Sequence, residues 1–283
     1  MSFNLSLTCL QYTSTEQESV TLKAIKPLIN EAINHGSNFI ALPECATSLQ
    51  SNPKQTKKIT TTEAENISLQ TFIEIAKNNK IYILIGSLPI KLEHKIANRS
   101  FLIGPGGDIL YRYDKIHLFD VKLPNGEIFK ESETYSPGYQ AIIATIEQKN
   151  KIKIGMTICY DLRFPHLYQD LAQNGAEIIT VPSAFSNTTG PMHWHTLLQA
   201  RAIETGCFIV APAQTGHHQC GRNSFGHSLI ISPWGEILAD AGKDVCFINT
   251  IIDLGEVKKA RLAIPSLKSH KRYLTNFEIF YFY

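Results

Sequence analysis

Three residues with complementary chemistry, Glu44, Lys115 and Cys159, each stand where an apolar, strand-like stretch of the sequence ends. A cysteine attacks an electrophilic carbon only as its thiolate, and a thiol pKa of about 8.5 leaves little thiolate at neutral pH. The thiol therefore needs a base that takes its proton and a cation that stabilises negative charge. The three residues predict covalent catalysis by Cys159, with Glu44 as the base and Lys115 as the cation.

Each of these residues also has an ordinary structural interpretation when its segment is considered alone. Glu44 fits a solvated loop, Lys115 an exposed surface position, and Cys159 a small buried side chain. The combination favours catalysis, because no histidine, the usual partner of a catalytic cysteine, stands at a comparable strand end. A strand-to-helix turn at Cys159 would also direct backbone N–H groups toward the reacting carbonyl oxygen.

Strand and helix patterns alternate along the chain and must position these residues. We predict strands at Phe3–Leu10, Phe39–Leu42, Ile81–Ile85, Ser100–Gly104, Ile109–Tyr113, Ile142–Ile146, Ile152–Ile158, Ile178–Val181, Phe208–Ala211, Leu229–Ile231, Ile237–Ala239 and Val245–Ile252. We predict helices at Val20–Asn34, Ala64–Asn78, Leu167–Gln173, Trp194–Glu204 and Glu256–Leu262. Because hairpin signals accompany the alternation, we expect two mixed β-sheets, each covered by helices on its outer face.

The composition is typical of a soluble globular enzyme. The 283 residues are 43% hydrophobic and 18% charged, with a net charge of +2, and no linker divides them. The basic stretches 54–58 and 268–272 are too short for a nucleic-acid site and fit solvated loops or termini. Neither a secretory signal nor a membrane-spanning apolar run is evident. We expect a single domain over residues 1–273, an aromatic tail at 274–283, a cytoplasmic location, and no nucleic-acid or membrane partner.

The other cysteines and the paired histidines suggest alternative chemistries. The six cysteines form no CxxC pair and fit reduced thiols in a chain of this length. A redox sensor would need a resolving cysteine, and Cys45 keeps that alternative open. His193 and His195, or His217 and His218, would bind a metal only with further converging ligands. Because no other residue supplies the spacing, we expect no metal and no cofactor.

The segments around Glu44, Lys115 and Cys159 resemble the Glu–Lys–Cys motifs of the nitrilase superfamily of carbon–nitrogen hydrolases. The motifs are Leu42-Pro43-Glu44, Asp114-Lys115-Ile116-His117-Leu118-Phe119-Asp120 and Cys159-Tyr160-Asp161-Leu162-Arg163-Phe164-Pro165. The similarity extends over nearly the whole chain and implies a four-layer αββα sandwich. It also implies a second glutamate before a Pro-Gly pair, for which Glu131 fits better than Glu133.

Further motifs resemble the branch of this superfamily that cleaves deaminated glutathione, in which the amino group of glutathione is replaced by a ketone. They include Pro182-Ser-Ala-Phe185, Ala200-Arg-Ala-Ile-Glu204-Thr205 and Gly226-His-Ser228 before Pro233-Trp-Gly235. Sibling ω-amidases typically carry Asp-Asn where this chain has Glu204-Thr205. The resemblance implies hydrolysis to 2-oxoglutarate and cysteinylglycine. The alternatives are an ω-amidase, a nitrilase or another amidase of the family, and a catalytically retired binding protein on this fold.

The resemblance also implies roles for individual residues and an assembly state. A homodimer or larger homo-oligomer is expected, and it would cover the aromatic tail. For Arg163 we expect a contact with a substrate carboxylate, which suits a guanidinium, or a structural salt bridge. The expected catalytic residues are Glu44, Lys115, Cys159 and Glu131, and the expected substrate-binding residues are Tyr160, with its backbone N–H, Arg163, Ala184 and Phe185.

Overall fold

A computed structural model of the chain describes residues 4–93, 95–148 and 150–269. The strands are β1 (Asn4–Gln11), β2 (Phe39–Ala41), β3 (Tyr82–Lys91), β4 (Ile96–Ile103), β5 (Ile109–Asp114), β6 (Asp120–Lys122), β7 (Ile128–Lys130), β8 (Ile142–Glu147), β9 (Lys151–Met156), β10 (Ile178–Thr180), β11 (Phe208–Ala211), β12 (Thr215–His217), β13 (Asn223–Phe225), β14 (Leu229–Ile231), β15 (Ile237–Asp240) and β16 (Cys246–Asp253). The helices are α1 (Glu18–Asn34), α2 (Pro53–Ile59), α3 (Ile67–Asn79), α4 (Pro165–Gln173), α5 (Gly190–Thr205) and α6 (Gly255–Ala263), with 3₁₀ turns at Glu131–Glu133, Cys159–Arg163 and Ser266–Lys268.

Two six-stranded sheets form the centre of the fold. Their strand orders are β16-β1-β2-β3-β4-β5 and β15-β14-β11-β10-β9-β8. In the first sheet β1, β2 and β3 run parallel, and in the second β9, β10 and β11 do so. The outer strands pair antiparallel. The prediction of two mixed sheets is therefore confirmed.

The period-two alternation of the strands places each sheet between two apolar layers. On β2, Phe39 and Ala41 belong to the core that joins the two sheets, whereas Ile40 packs with residues of α1 and α3. On the second sheet, Gly155 of β9 lies against Leu171 of α4. The layers thus run helix, sheet, sheet, helix, as the resemblance to the nitrilase superfamily implies.

Some elements differ from the sequence prediction. The loop expected around Lys54–Lys58 was wrong, because these residues lie on α2, although the lysines themselves are exposed. Asn52 caps this helix by accepting a hydrogen bond from the Lys54 N–H, and Pro53 occupies its first turn. The hairpins β6–β7 and β12–β13 were also missed, because strands of three residues are too short to show alternation.

The described residues bear on two further expectations. None of the helices they form is long and apolar enough to cross a membrane. The predicted aromatic tail at 274–283 lies outside the described residues, and so does the end of the second basic stretch. The expected single domain over residues 1–273 therefore stays a prediction.

β3 passes so close to the end of β2 that position 86 has no room for a side chain. A Cβ atom on Gly86 would lie 2.2 Å from the carbonyl oxygen of Leu42 and 2.4 Å from that of Pro43. The Leu42 N–H donates a hydrogen bond to the carbonyl of Leu84 on β3. The close approach therefore fixes the backbone that leads directly into Glu44.

We predict that Gly86→Ala destabilises the protein by about 1–3 kcal/mol or more, because backbone atoms must move to accept the methyl group. Turnover should fall with it, since the displaced backbone carries Glu44. Denaturant unfolding and steady-state rates measure the two effects. Gly106→Ala is the matched control, because its Cβ would approach only the end of the exposed Asp108 side chain closely. Equal stability of the two variants would contradict the prediction.

Candidate active site

A buried lysine joins two carboxylates at the centre of the site. Lys115 follows β5, and its Nζ lies 2.8 Å from Oε1 of Glu44 and 2.8 Å from Oε2 of Glu131. Glu44 follows β2, whereas Glu131 begins a 3₁₀ turn after the β6–β7 hairpin. Lys115 is only 2% exposed. An ion this deeply buried requires partners, and here both are acidic residues that the sequence singled out.

The neutral amide of Asn98 also links the two carboxylates that pair with Lys115. Its Nδ2 donates to Oε1 of Glu44 at 3.2 Å and to Oε1 of Glu131 at 2.9 Å. Its backbone carbonyl accepts a hydrogen bond from the Lys115 N–H. Asn98 is not among the site residues predicted from the sequence. The available signal was a buried amide within the otherwise apolar start of β4, Ile96–Ile103.

The nucleophile candidate lies on the opposite sheet and meets the same carboxylate. Cys159 opens a 3₁₀ turn just after β9 with a φ of +47°, a conformation that non-glycine residues seldom adopt. Its N–H donates to the carbonyl of Pro182, and its thiol lies close enough to Glu44 for the carboxylate charge to raise the pKa of the thiol. The Ala184 N–H donates to Oε2 of Glu44 at 2.9 Å. The segments that follow β9 and β10 therefore close the site over Glu44.

Asp161 holds the Cys159 turn against the first sheet. Its buried carboxylate accepts hydrogen bonds from the Ile158 N–H at 2.9 Å and from the Tyr113 hydroxyl at 2.7 Å. It also accepts from the His117 N–H at 3.0 Å, and its Oδ1 lies 2.7 Å from Nδ1 of the same residue. The sequence indicated Asp161 only as a neighbour of the cysteine, because its partners lie on segments distant in sequence.

Burial and charge set the protonation states of the three central groups. Burial raises the pKa of Glu44, but the Lys115 charge and hydrogen bonds outweigh it and hold the pKa below the usual 4.5. Burial lowers the pKa of Lys115, yet the negative charges of Glu131 and Glu44 hold it well above 10.5. Burial and the Glu44 charge raise the pKa of Cys159 well above 9.0. The resting site therefore contains a thiol, a carboxylate and an ammonium.

Cys45 does not suit the role of the resolving cysteine that a redox sensor would need. Burial and the negative charge of Glu44 raise the pKa of its thiol far above the ordinary range. Redox sensors depend on a low thiol pKa, because the thiolate is the reactive form. The environment of Cys45 therefore disfavours the redox alternative.

The buried charge cluster opens into a cavity of about 330 Å³. This volume is within the range of small-molecule sites in enzymes. Ile128 and Phe129 from the β6–β7 hairpin and Arg222 from the β12–β13 hairpin complete its walls. All eight residues predicted from the sequence line it: Glu44, Lys115, Glu131, Cys159, Tyr160, Arg163, Ala184 and Phe185.

Arg163 points its guanidinium into this cavity without a structural salt bridge. Its Nη2 lies 3.3 Å from Nδ1 of His193, and its Cζ lies 5.6 Å from the centre of the Phe185 ring. The Phe185 ring in turn packs against Trp194, so Phe185 is both core and cavity wall. Among the described residues, no carboxylate pairs with Arg163, in contrast to the salt bridge considered from the sequence. Its charge is thus available to a ligand.

Two interactions away from the cavity also bear on the sequence predictions. Arg201 and Glu204 pair across one turn of α5 at 2.8 Å. His195 and His227 both hydrogen-bond to Asp240, and their ligand-capable atoms lie within 4.8 Å of one another. Sequence spacing missed this cluster, because His227 and Asp240 join His195 only in three dimensions. The expectation that no metal takes part in the chemistry stays a prediction.

The chain is similar in sequence to known amidases. The sequence profile described as carbon-nitrogen hydrolase matches residues 6–262. The chain is 38% identical over 263 residues to a deaminated glutathione amidase of Synechocystis sp., covering 92% of this chain and 95% of that one. It is 34% identical over 273 residues to an omega-amidase of Mus musculus, covering 95% of each.

A solved structure extends the comparison to three dimensions. Saccharomyces cerevisiae Nit3, a member of branch 10 of the nitrilase superfamily, superposes with a TM-score of 0.82 at 29% identity. The match covers 93% of this chain and 94% of that chain. The αββα architecture is therefore shared over almost the full length of both proteins.

The protonation states lead to a prediction about pH. Glu44 must be ionised to accept a proton, and its lowered pKa means that this ability is lost only as the pH falls below 4.5. Lys115 and Cys159 titrate above 10.5 and 9.0. We therefore expect kcat/KM to be flat between about pH 6 and pH 9 on a non-titrating amide. Rates and circular dichroism measured over this pH range test the prediction. A rise or fall of kcat/KM near pH 7 while the protein stays folded would contradict it.

Proposed function

This chain belongs to the carbon–nitrogen hydrolase family and is an amide-hydrolysing enzyme, and we propose that its substrate is deaminated glutathione. The observation that carries the proposal is the cavity in which Cys159, Glu44 and Lys115 meet beside Arg163, whose guanidinium forms no ion pair with any residue that the structure describes. The deaminated glutathione amidase at 38% identity supports it. Family membership and amidase relatives favour an enzyme over a catalytically retired binding protein.

Acylation begins with proton transfer from the Cys159 thiol to Glu44. Glu44 and Cys159 line the same cavity and interact electrostatically, so the base lies beside the proton that it removes. The sulfur then attacks the carbonyl carbon of the amide, and a carbon–sulfur bond forms. Because the resting thiol has a raised pKa, thiolate forms mainly in concert with attack, when the negative charge can move onto the carbonyl oxygen.

That oxygen needs donors when it becomes an oxyanion. Lys115 supplies a fixed positive charge, held in place by Glu44 and Glu131. The backbone N–H of Tyr160, next to the nucleophile, has no acceptor among the described residues and is free to donate. Donors fixed before the reaction stabilise developing charge without reorganising. Glu131 and Asn98 act here by positioning Lys115 and Glu44.

The cycle is completed in two steps, which are release of the amine and hydrolysis of the thioester. Glu44 returns its proton to the amide nitrogen, the carbon–nitrogen bond breaks, and the amine leaves as cysteinylglycine. A water molecule then gives a proton to Glu44 and attacks the thioester. The carbon–sulfur bond breaks, 2-oxoglutarate leaves, and Cys159 recovers its proton.

Arg163 is proposed to bind the carboxylate of the 2-oxo acid on the acyl side of the amide. Its guanidinium stacks over Phe185 and lacks an acidic partner among the described residues, so a substrate carboxylate would complete its interactions. The amide of 2-oxoglutarate carries the same 2-oxo acid. An omega-amidase activity is therefore the second candidate, and the omega-amidase relative at 34% identity favours it.

A comparison of substrates tests the proposed function. We expect the wild type to cleave deaminated glutathione much faster than 2-oxoglutaramate, and aliphatic nitriles barely. Arg163→Ala should cost about 2–5 kcal/mol of transition-state stabilisation on both 2-oxo acids, because a buried carboxylate would lose its partner. The measurement is kcat/KM for each substrate and variant.

Two controls accompany this experiment. Cys159→Ala should be inactive and form no thioester detectable by mass spectrometry. Arg112→Ala removes a guanidinium that pairs with Glu63 outside the cavity, so it should leave kcat/KM unchanged. Faster cleavage of 2-oxoglutaramate would assign the protein to the omega-amidases, and an unaffected Arg163→Ala variant would exclude the carboxylate contact.

We also propose that the enzyme is at least a homodimer. Support comes from Ile203, Trp234 and Ile264, exposed apolar side chains that line one shallow groove on the surface. Apolar surface of this kind is covered in many oligomers. Light scattering at micromolar concentration should give at least twice the mass of the chain, and a monomeric mass would oppose the proposal. The cytoplasmic location stays a prediction.

A further inference from the structure

The cavity contains positively charged side chains that the proposed chemical steps do not use. Lys115 is neutralised by two carboxylates, and Lys130 has Glu133 as a neighbour at 3.4 Å. Arg163 and Arg222 also line the cavity. Within the described part of the chain, neither of these guanidinium groups forms an ion pair. A substrate with a single carboxylate would satisfy only one of them.

Arg222 is held by a loop that is itself firmly anchored. It lies between β12 and β13, and its backbone carbonyl accepts a hydrogen bond from the His218 N–H at 2.9 Å. The buried His218 ring has nitrogens 2.9 Å from the carbonyl of Ser14 and 2.8 Å from Oγ of Ser224. The backbone of Arg222 is therefore fixed to the body of the protein, although it belongs to a surface hairpin.

The side chain of Arg222 is also preorganised. Its Cζ lies 5.3 Å from the centre of the Phe129 ring on β7, within the range of a cation–π contact. Arg222 and Phe129 thus come from two hairpins in different parts of the chain and contact each other. The Arg163–Phe185 pair repeats this arrangement on another wall of the cavity. A guanidinium stacked on a ring presents its edge N–H groups to a planar carboxylate.

The positive charge of Arg222 acts on the Cys45 thiol, which is next to Glu44 in the chain. Burial and Glu44 raise the pKa of the neighbouring Cys45 thiol, and Arg222 is the foremost charge that opposes them. Arg222 also lines the same cavity as Glu44 and Cys159, so a substrate that occupies the cavity lies against all three residues. The substrate proposed above has a second carboxylate on its leaving group, at the glycine end of cysteinylglycine.

We propose that Arg222, stacked on Phe129, is the subsite for the carboxylate on the leaving-group side of the scissile amide. The inference rests on the proposed function and deepens it. The enzyme selects amides with a carboxylate at each end: Arg163 receives the acyl-side carboxylate, and Arg222 receives the one that departs with the amine. The small amide 2-oxoglutaramate has no group for Arg222, so this residue distinguishes the two substrate classes.

The test compares three substrates: deaminated glutathione, its analogue with a carboxamide in place of the glycine carboxylate, and 2-oxoglutaramate. Arg222→Gln should lower kcat/KM for deaminated glutathione by about 10- to 150-fold, the range of a hydrogen bond to a charged group. The loss should be mainly in KM, because the contact exists in both the bound and the transition state. Arg222→Lys should recover part of it.

The other two substrates make the result specific. Arg222→Gln should change their kcat/KM by less than about threefold, and these unchanged rates show that the variant is folded and chemically competent. Lys130→Gln is the matched control, since it removes one positive charge from the same cavity. It should affect the carboxylate and carboxamide substrates equally.

Several outcomes would overturn the subsite. They are no loss in Arg222→Gln, an equal loss on all three substrates, or a selective loss of the same size in Lys130→Gln. If any of these occurs while the wild type still prefers deaminated glutathione, the proposed function stands and only the subsite fails. A wild type that cleaves 2-oxoglutaramate alone would overturn both.

Discussion

The burial of Lys115 between two carboxylates is the constraint on which the rest of this structure depends. Removing three ionised groups from water costs several kcal/mol per ion unless each is paired and hydrogen-bonded. Here the carboxylate oxygens also accept hydrogen bonds from the Asn98 amide and from the backbone N–H groups of Phe119 and Ala184. These donors come from β4, from the segment after β5 and from the segment after β10, so the site is complete only when both sheets have packed together.

The sandwich in turn requires unusual backbone at the places where its sheets meet. Cys45 and Cys159 have φ values of +55° and +47°, each of which costs of order 1–3 kcal/mol in a non-glycine residue. Gly86 allows β3 to approach the segment that carries Glu44. The packed core and the Asp161 hydrogen bonds must hold this strained geometry. The result is a thiol and a base that are placed together before any substrate arrives.

The same constraint shapes how the cavity recognises a ligand. Because Glu44 and Glu131 satisfy Lys115, the charge left for recognition comes from guanidinium groups on the cavity walls, each stacked on an aromatic ring. In the proposed function, chemistry and recognition are therefore assigned to different cations.

The amino-acid sequence by itself indicated the fold class and the residues to which we assign the proposed chemistry. Apolar strands that end in Glu44, Lys115 and Cys159 are local patterns, and a linear reading detects them. Only the tertiary structure decided which groups support them. Asn98 and Ala184 contact Glu44 across 54 and 140 residues of sequence, and the ring partner of Arg222 lies on another hairpin. Such partners leave no local signal, because their contact energy is gained only when distant segments pack together.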